Sequence, residues 1–133
     1  EPILEAGVKV VVYHWGKPTA DNPLEDEGFN YLLSKGATKQ VWVKVSGVYR
    51  LKKGADFDTC KQLASMMLPS LLDSFGPERL LWGSDWPHTN FEALISYDAT
   101  WNAFVEIVLD EDIRQLILGE SFEQLLPFSV RAE

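Results

Sequence analysis

Three short runs of β-branched and large apolar residues constrain this chain more than anything else in it. They are Val8-Lys9-Val10-Val11-Val12-Tyr13, Val41-Trp42-Val43-Lys44-Val45 and Leu80-Leu81-Trp82-Gly83. Each has the length of a strand, and each ends in polar residues. The first is too continuous for a half-exposed strand and suits a parallel one covered on both faces. The second alternates, with Val41, Val43 and Val45 on one face and Trp42 and Lys44 on the other.

Between these runs the apolar period is helical. A loop from Thr19 to Pro23 leads into a stripe of Leu24, Phe29, Tyr31, Leu32 and Leu33 that closes at Gly36. Phe57, Cys60, Ala64, Met67, Leu68, Leu71 and Phe75 recur at helical spacing, with Asp56 or Asp58 as the cap. Pro69 is expected to kink that helix or begin a second one, and Gly76-Pro77 to stop it. After the third run, a short helix is possible between Thr89 and Tyr97. Asp98 is placed to cap a helix carrying Trp101, Phe104, Val105 and Val108, and Asp110 another with Ile113, Leu116 and Ile117. Phe122, Leu125 and Leu126 make a closing apolar turn, and Glu1 to Gly7 reads as a helix end with Gly7 as its left-handed cap.

Strand and helix therefore alternate, which predicts an α/β fold of parallel β-α units with right-handed crossovers, as one domain over residues 1–133. A complete eightfold barrel takes about 250 residues. Three strands make either a small open sheet or the last part of such a barrel. A start at Glu1 rather than Met is expected of a chain that is processed, trimmed or cut from something longer.

With 46 % hydrophobic and 24 % charged residues the chain can build a core, and a net charge of −8 repels nucleic-acid phosphate. Arg50, Lys52 and Lys53 are the one tight basic group, with no basic stripe around them, so nucleic acid is not an expected partner. The single Cys60 excludes an internal disulfide and reads as a buried structural thiol in a reducing cytoplasm. No apolar run approaches the roughly 18 residues of a membrane span. No signal-peptide pattern opens the chain, and a cytoplasmic location without a membrane partner is expected.

Chemistry is expected where the strands end. Parallel strands bring their carboxyl ends to one rim, so His14, Arg50, Asp85 and His88, each following a strand-like run, should converge there. A histidine and an aspartate on neighbouring strand ends can bind a divalent metal, or share a water with the aspartate as general base. An arginine on the same rim can grip a substrate carboxylate with two prongs. Each also has a purely structural reading. Asp85 can cap a turn, His14 can be a packed histidine, His88 a loop residue and Arg50 part of the patch with Lys52 and Lys53. Trp82 and Trp86 read as packing residues.

Three segments then carry a resemblance: His14-Trp15-Gly16-Lys17-Pro18, Lys44-Val45-Ser46-Gly47 followed by Tyr49-Arg50, and Leu81-Trp82-Gly83-Ser84-Asp85-Trp86-Pro87-His88. The chain resembles the C-terminal part of the amidohydrolase-related family of (β/α)8 TIM-barrel hydrolases, in the branch that includes pyrone dicarboxylate lactonases. The first segment is similar to the family's D-H-x-G-[RK]-P, and the last is the most specific of the three. The resemblance implies that Asp85 activates the attacking water. It makes His14 a metal or substrate contact, and gives Arg50 and His88 the substrate carboxylate or carbonyl oxygen to hold. Some members of the branch use a divalent metal such as Zn or Mn, and the lactonases work without one.

Departures from the family pattern matter too. Its H-x-H pair has no counterpart here, Tyr13 stands where the family has aspartate, and Gly119-Glu120-Ser121 replaces the usual Asn-Pro. Metal binding therefore rests on His14 and Asp85, and two ligands hold a divalent ion poorly. The expected function is a hydrolase acting on a lactone, ester or amide-like carbonyl of a small carboxylated molecule, with the isolated chain weak or inactive. Two alternatives stand beside it: a non-catalytic α/β interaction module, whose open sheet edges call for a homo-oligomer or a missing N-terminal half, and a metal-dependent decarboxylase of the same superfamily.

Overall fold

The computed structural model describes residues 5–86 and 88–125. Three strands, β1 (Val10–Val12), β2 (Val41–Lys44) and β3 (Leu80–Leu81), form one parallel sheet in the order β1-β2-β3. Val10 pairs with Val41 and Val12 with Val43, while Val43 pairs with Leu80 and Lys44 with Leu81. The alternation expected along β2 is present. Val41, Val43 and Val45 enter the main core, and Trp42 is buried on the other face outside that cluster.

The outer strands depart from expectation. In β1 the paired residues are half-buried, and Val8 and Tyr13 are exposed, so this strand is not covered on both faces. It is an edge, paired on one side only among the described residues, with Val10 and Val12 packed on the core. β3 is shorter than the apolar run. Its last ladder bond is Val45 N–H to the Leu81 carbonyl at 2.7 Å, after which the chain turns away at Trp82.

The helices follow the apolar stripes except that Leu24, Tyr31 and Trp101 are exposed, and their starts need correction. Helix α1 (Glu27–Ser34) begins after Asp26, whose carboxylate accepts from Phe29 N–H at 2.8 Å, which leaves Leu24 in a preceding 3-10 turn. Helix α2 (Phe57–Phe75) is capped by Asp56, which accepts from Thr59 N–H at 2.7 Å, and not by Asp58. It runs 19 residues straight through Pro69, so no second helix starts there. Pro69 and Ser65 both lie on the exposed side, where the carbonyl deprived of its amide partner can be solvated. Cys60, Ala64, Met67, Leu68, Leu71 and Phe75 face the sheet, and Cys60 is buried as a structural thiol.

Helix α3 (Tyr97–Ile107) is capped by Ser96, whose hydroxyl accepts from Ala99 N–H, and Asp98 sits in its first turn instead. Thr89 to Ser96 forms turns rather than a helix. Asp110 caps α4 (Glu111–Gln115) as expected, but a wider π turn, Leu116–Glu120, carries Leu116 and Ile117 on to α5 (Ser121–Leu125). Ser121, fully buried, donates to the Pro77 carbonyl at 2.7 Å and ties these last helices to the entrance of β3. Leu126 and most of the expected helix end at Glu1 to Gly7 lie outside the described residues. Gly7 itself has the left-handed φ expected of it. Among the described residues no helix is long and apolar enough to cross a membrane.

Two consequences can be measured. Leu71 is fully buried between α2 and the sheet, and Leu71→Ala should cost about 2–5 kcal/mol of stability in urea denaturation. Asp26 collects the backbone N–H groups of Ala20, Phe29 and Thr19, which bring its carboxyl down from 3.8 to about 2. The unfolded chain therefore takes up this proton before the folded one does. The contribution is complete above pH 3.8 and is lost as pH falls through about 2. Asp26→Asn should flatten the loss of stability across that window, and an unchanged slope would remove Asp26 from it.

Candidate active site

The strand ends do meet. Among the described residues, seven non-glycine residues have left-handed backbone, and six of them, His14, Trp15, Lys17, Asp85, His88 and Asn90, lie in the loops after β1 and β3. Such conformations persist where surrounding contacts over-determine them, and they cluster at functional sites. Between these two loops comes the segment after β2, where Val48–Arg50 forms a 3-10 turn.

Asp85 is the point of convergence. Its Oδ2 accepts from the Tyr49 hydroxyl at 2.6 Å and from Arg50 Nε at 2.6 Å. Its Oδ1 lies 3.8 Å from His14 Nε2, within ion-pair range but too long for a hydrogen bond. One carboxylate oxygen is thus anchored by two donors and the other is left for something else. Burial raises the Asp85 carboxyl, but the Tyr49 and Arg50 hydrogen bonds and the Arg50 charge outweigh it, and the net direction is down. Burial also works against the Arg50 charge, and the Asp85 carboxylate more than restores it. Tyr49 is raised by burial and by its bond to Asp85, so it stays a phenol.

His14 is held from behind. Its Nδ1 is 3.3 Å from the Ser46 carbonyl and 3.3 Å from the Ser46 hydroxyl. The Ser46 carbonyl can only accept, and the tautomer with its proton on Nδ1 satisfies it and leaves a lone pair at Nε2 on the Asp85 side. Burial lowers the His14 pKa, with partial opposition from Asp85 and the Ser46 carbonyl, and this favours the uncharged ring. Gly47 makes the arrangement possible: its φ is +63°, and a Cβ placed there would sit 2.7 Å from His14 Nδ1.

Arg50 is more committed than a free substrate grip would be. Besides Nε on Asp85, its Nη2 donates to the Thr89 carbonyl at 2.9 Å, and the guanidinium lies over the rings of Tyr49 and Phe91. It also lines a cleft of about 390 Å³ with Lys17, Lys52 and Lys53. Of these cations Lys52 is paired with Asp21 at 3.2 Å and Arg50 with Asp85, and of the site residues only Arg50 lines the cleft. His88 is 4 % exposed, and its Nδ1 is 3.2 Å from the Tyr49 hydroxyl.

All four residues expected at the rim are therefore brought to one place. Tyr49, Ser46 and Gly47 were missed as participants, although they lie in the segment that leads to Arg50, and position directly after β2 was the available signal. Of the two tryptophans, Trp82 packs with Tyr97, Trp101 and Phe104 as expected, whereas Trp86 is 74 % exposed and does not. As metal ligands, His14 Nε2 and Asp85 Oδ1 offer two donors, with Arg50 already on the same carboxylate. Among the described residues no third His, Cys, Asp or Glu joins them. By themselves they fall short of the three or four protein ligands of a zinc site.

Comparison with known proteins identifies the family and the fold. The family model described as amidohydrolase matches residues 6–128. A 4-sulfomuconolactone hydrolase of Rhizobium radiobacter is 29 % identical over 90 residues, covering 67 % of this chain and 28 % of that protein. The enzyme of the same name from Hydrogenophaga intermedia is 22 % identical over 92 residues, covering 68 % and 29 %. Among solved structures, a proposed 2-pyrone-4,6-dicarboxylic acid hydrolase from Pseudomonas putida superposes with a TM-score of 0.86 at 35 % identity, covering 96 % of this chain and 46 % of that one. A zinc-bound amidohydrolase from Burkholderia multivorans, 24 % identical, shares the fold with a TM-score of 0.72, covering 92 % and 47 %. The chain thus spans less than a third of the curated relatives and somewhat under half of the solved structures. Its three parallel β-α units have the architecture of part of a TIM barrel, and the chain belongs to the amidohydrolase family.

Proposed function

We propose that this protein is a hydrolase that opens a lactone ring in a small, carboxylated molecule, using a water activated at Asp85. The observation that carries the reading is the asymmetry of that carboxylate: Oδ2 anchored by Tyr49 and Arg50, Oδ1 facing the His14 lone pair. A water set off the line between Oδ1 and Nε2 can donate one hydrogen to each acceptor. Asp85 takes a proton as the water oxygen attacks the carbonyl carbon and His14 keeps the water aimed; the ring C–O bond then breaks as the tetrahedral adduct collapses, and Asp85 returns the proton to the departing ring oxygen.

An anionic substrate suits the surroundings. Lys17 and Lys53 line the cleft beside Arg50, with Lys52 paired to Asp21 at 3.2 Å, and Arg50 Nη1 has no hydrogen-bond partner among the described residues. A substrate carboxylate that draws Arg50 towards itself removes one donor from Oδ2 and makes Asp85 a stronger base. The relatives' names point the same way, since they combine a lactone or pyrone ring with sulfonate or carboxylate groups. Lactone cleavage is therefore preferred over ester or amide cleavage. The donor set leads to no step through a metal.

Hydrolysis of 2-pyrone-4,6-dicarboxylate by the full-length gene product, followed by the loss of the pyrone absorbance, tests the reading. Asp85→Asn should lower kcat/KM at least about 100-fold, and equal rates for the two proteins would remove Asp85 from the mechanism. Gly47→Ala asks whether His14 must stand where it does. With the left-handed φ and the contact to Nδ1, it should cost about 1 kcal/mol of stability. It should also lower kcat roughly 10-fold or more by displacing the ring. Normal turnover in Gly47→Ala would count against His14 as the residue that aims the water.

A further inference from the structure

The donors and acceptors behind Asp85 admit only one proton arrangement. A phenol has a single O–H, and the Tyr49 hydroxyl lies 2.6 Å from Asp85 Oδ2, an oxygen that also receives Arg50 and can only accept. The phenol proton is therefore committed to Asp85. The 3.2 Å contact between Tyr49 and His88 Nδ1 must then run the other way, with Nδ1–H donating to a lone pair of the phenol oxygen. His88 Nε2 is left buried, with no partner among the described residues.

A second link joins the same two residues: His88 N–H donates to the Asp85 carbonyl at 2.8 Å. Both residues have left-handed backbone, with φ of 60° at Asp85 and 62° at His88. Backbone and side chain of His88 thus close a ring around Asp85, one arm direct and the other through Tyr49. The ring packs edge-on against Tyr49 with centroids 5.8 Å apart, and Tyr49 also packs on Phe91.

We infer that His88 is a positioning residue rather than a substrate contact: its Nδ1–H orients the Tyr49 hydroxyl, which in turn holds Asp85 with one oxygen free for the reacting water. This replaces the substrate-holding role expected from the sequence, and it rests on the proposed role of Asp85. Without the Nδ1 donor the phenol can rotate, and the carboxylate loses the partner that selects which oxygen points outward. Ground-state binding, which falls to Arg50 and the lysines of the cleft, should be little affected.

The tautomer can be read without turnover. In a long-range ¹H–¹⁵N spectrum of the protein labelled at histidine, the His88 ring, assigned by its disappearance in His88→Asn, should be protonated at Nδ1. Tyr49→Phe, which removes the acceptor, should shift that signal. A His88 proton on Nε2, or a signal indifferent to Tyr49→Phe, overturns the inference. Kinetics with 2-pyrone-4,6-dicarboxylate supply the functional arm. His88→Ala should lower kcat about 10- to 100-fold with KM within about threefold. His88→Asn, whose side-chain N–H can stand in for Nδ1–H and whose backbone tolerates positive φ, should recover turnover to within about fivefold of the original. A raised KM with unchanged kcat would place His88 on the substrate, and an Asn variant no better than the Ala variant would exclude the donor; either result overturns it. Should the unaltered protein not hydrolyse the lactone, the function proposed above fails, and the ring-nitrogen spectrum still decides whether His88 holds Tyr49.

Discussion

The bond that the site depends on is the one from Tyr49 and Arg50 to a single oxygen of Asp85. It joins the segment after β2 to the loop after β3, two pieces of chain that the sheet brings near but does not connect. Arg50 reaches further, to the Thr89 carbonyl, so the same side chain holds two points of the loop after β3. Several residues in that loop have backbone conformations that would be costly alone, and these polar contacts are what over-determine them. The result is a carboxylate with one committed and one uncommitted oxygen, a geometry suited to a general base.

A parallel sheet explains why this is possible with so little structure. β2 lies between its neighbours, so the loops that follow all three strands start from one rim. His14 arrives from β1, Tyr49 and Arg50 from β2, Asp85 and His88 from β3. The helices underneath supply rigidity rather than chemistry, with α2 contributing six buried side chains to the core and Ser121 pinning the last helices to the Pro77 carbonyl.

Much of the fold was legible from residue pattern because pattern and packing express the same physics. The alternation Val41, Val43, Val45 and the stripe from Cys60 to Phe75 mark which side of each element must leave water, and those faces are buried. Where expectation and structure part, a local competition decided. Ser96 rather than Asp98 caps α3, and Asp56 rather than Asp58 caps α2, since two polar residues two apart both satisfy the pattern and only the path of the chain selects one. Pro69 is carried inside a helix because it falls on the solvent face. The edge position of β1 is a property of the sheet, invisible in a run of valines.

Within the site, residue order alone was enough to identify a histidine, an arginine, an aspartate and a second histidine at strand ends, because in a parallel sheet chain position after a strand is also position in space. It could not assign them partners. Hydrogen bonding is directional and depends on distances of tenths of an ångström, so only the tertiary structure decided that Arg50 lies on Asp85, that Tyr49 shares that oxygen, and that His88 meets the phenol. Gly47 shows the same division. Its lack of a side chain is written in the chain, and the reason for it, an imidazole that leaves no room for a Cβ, exists only once β1 and β2 are side by side.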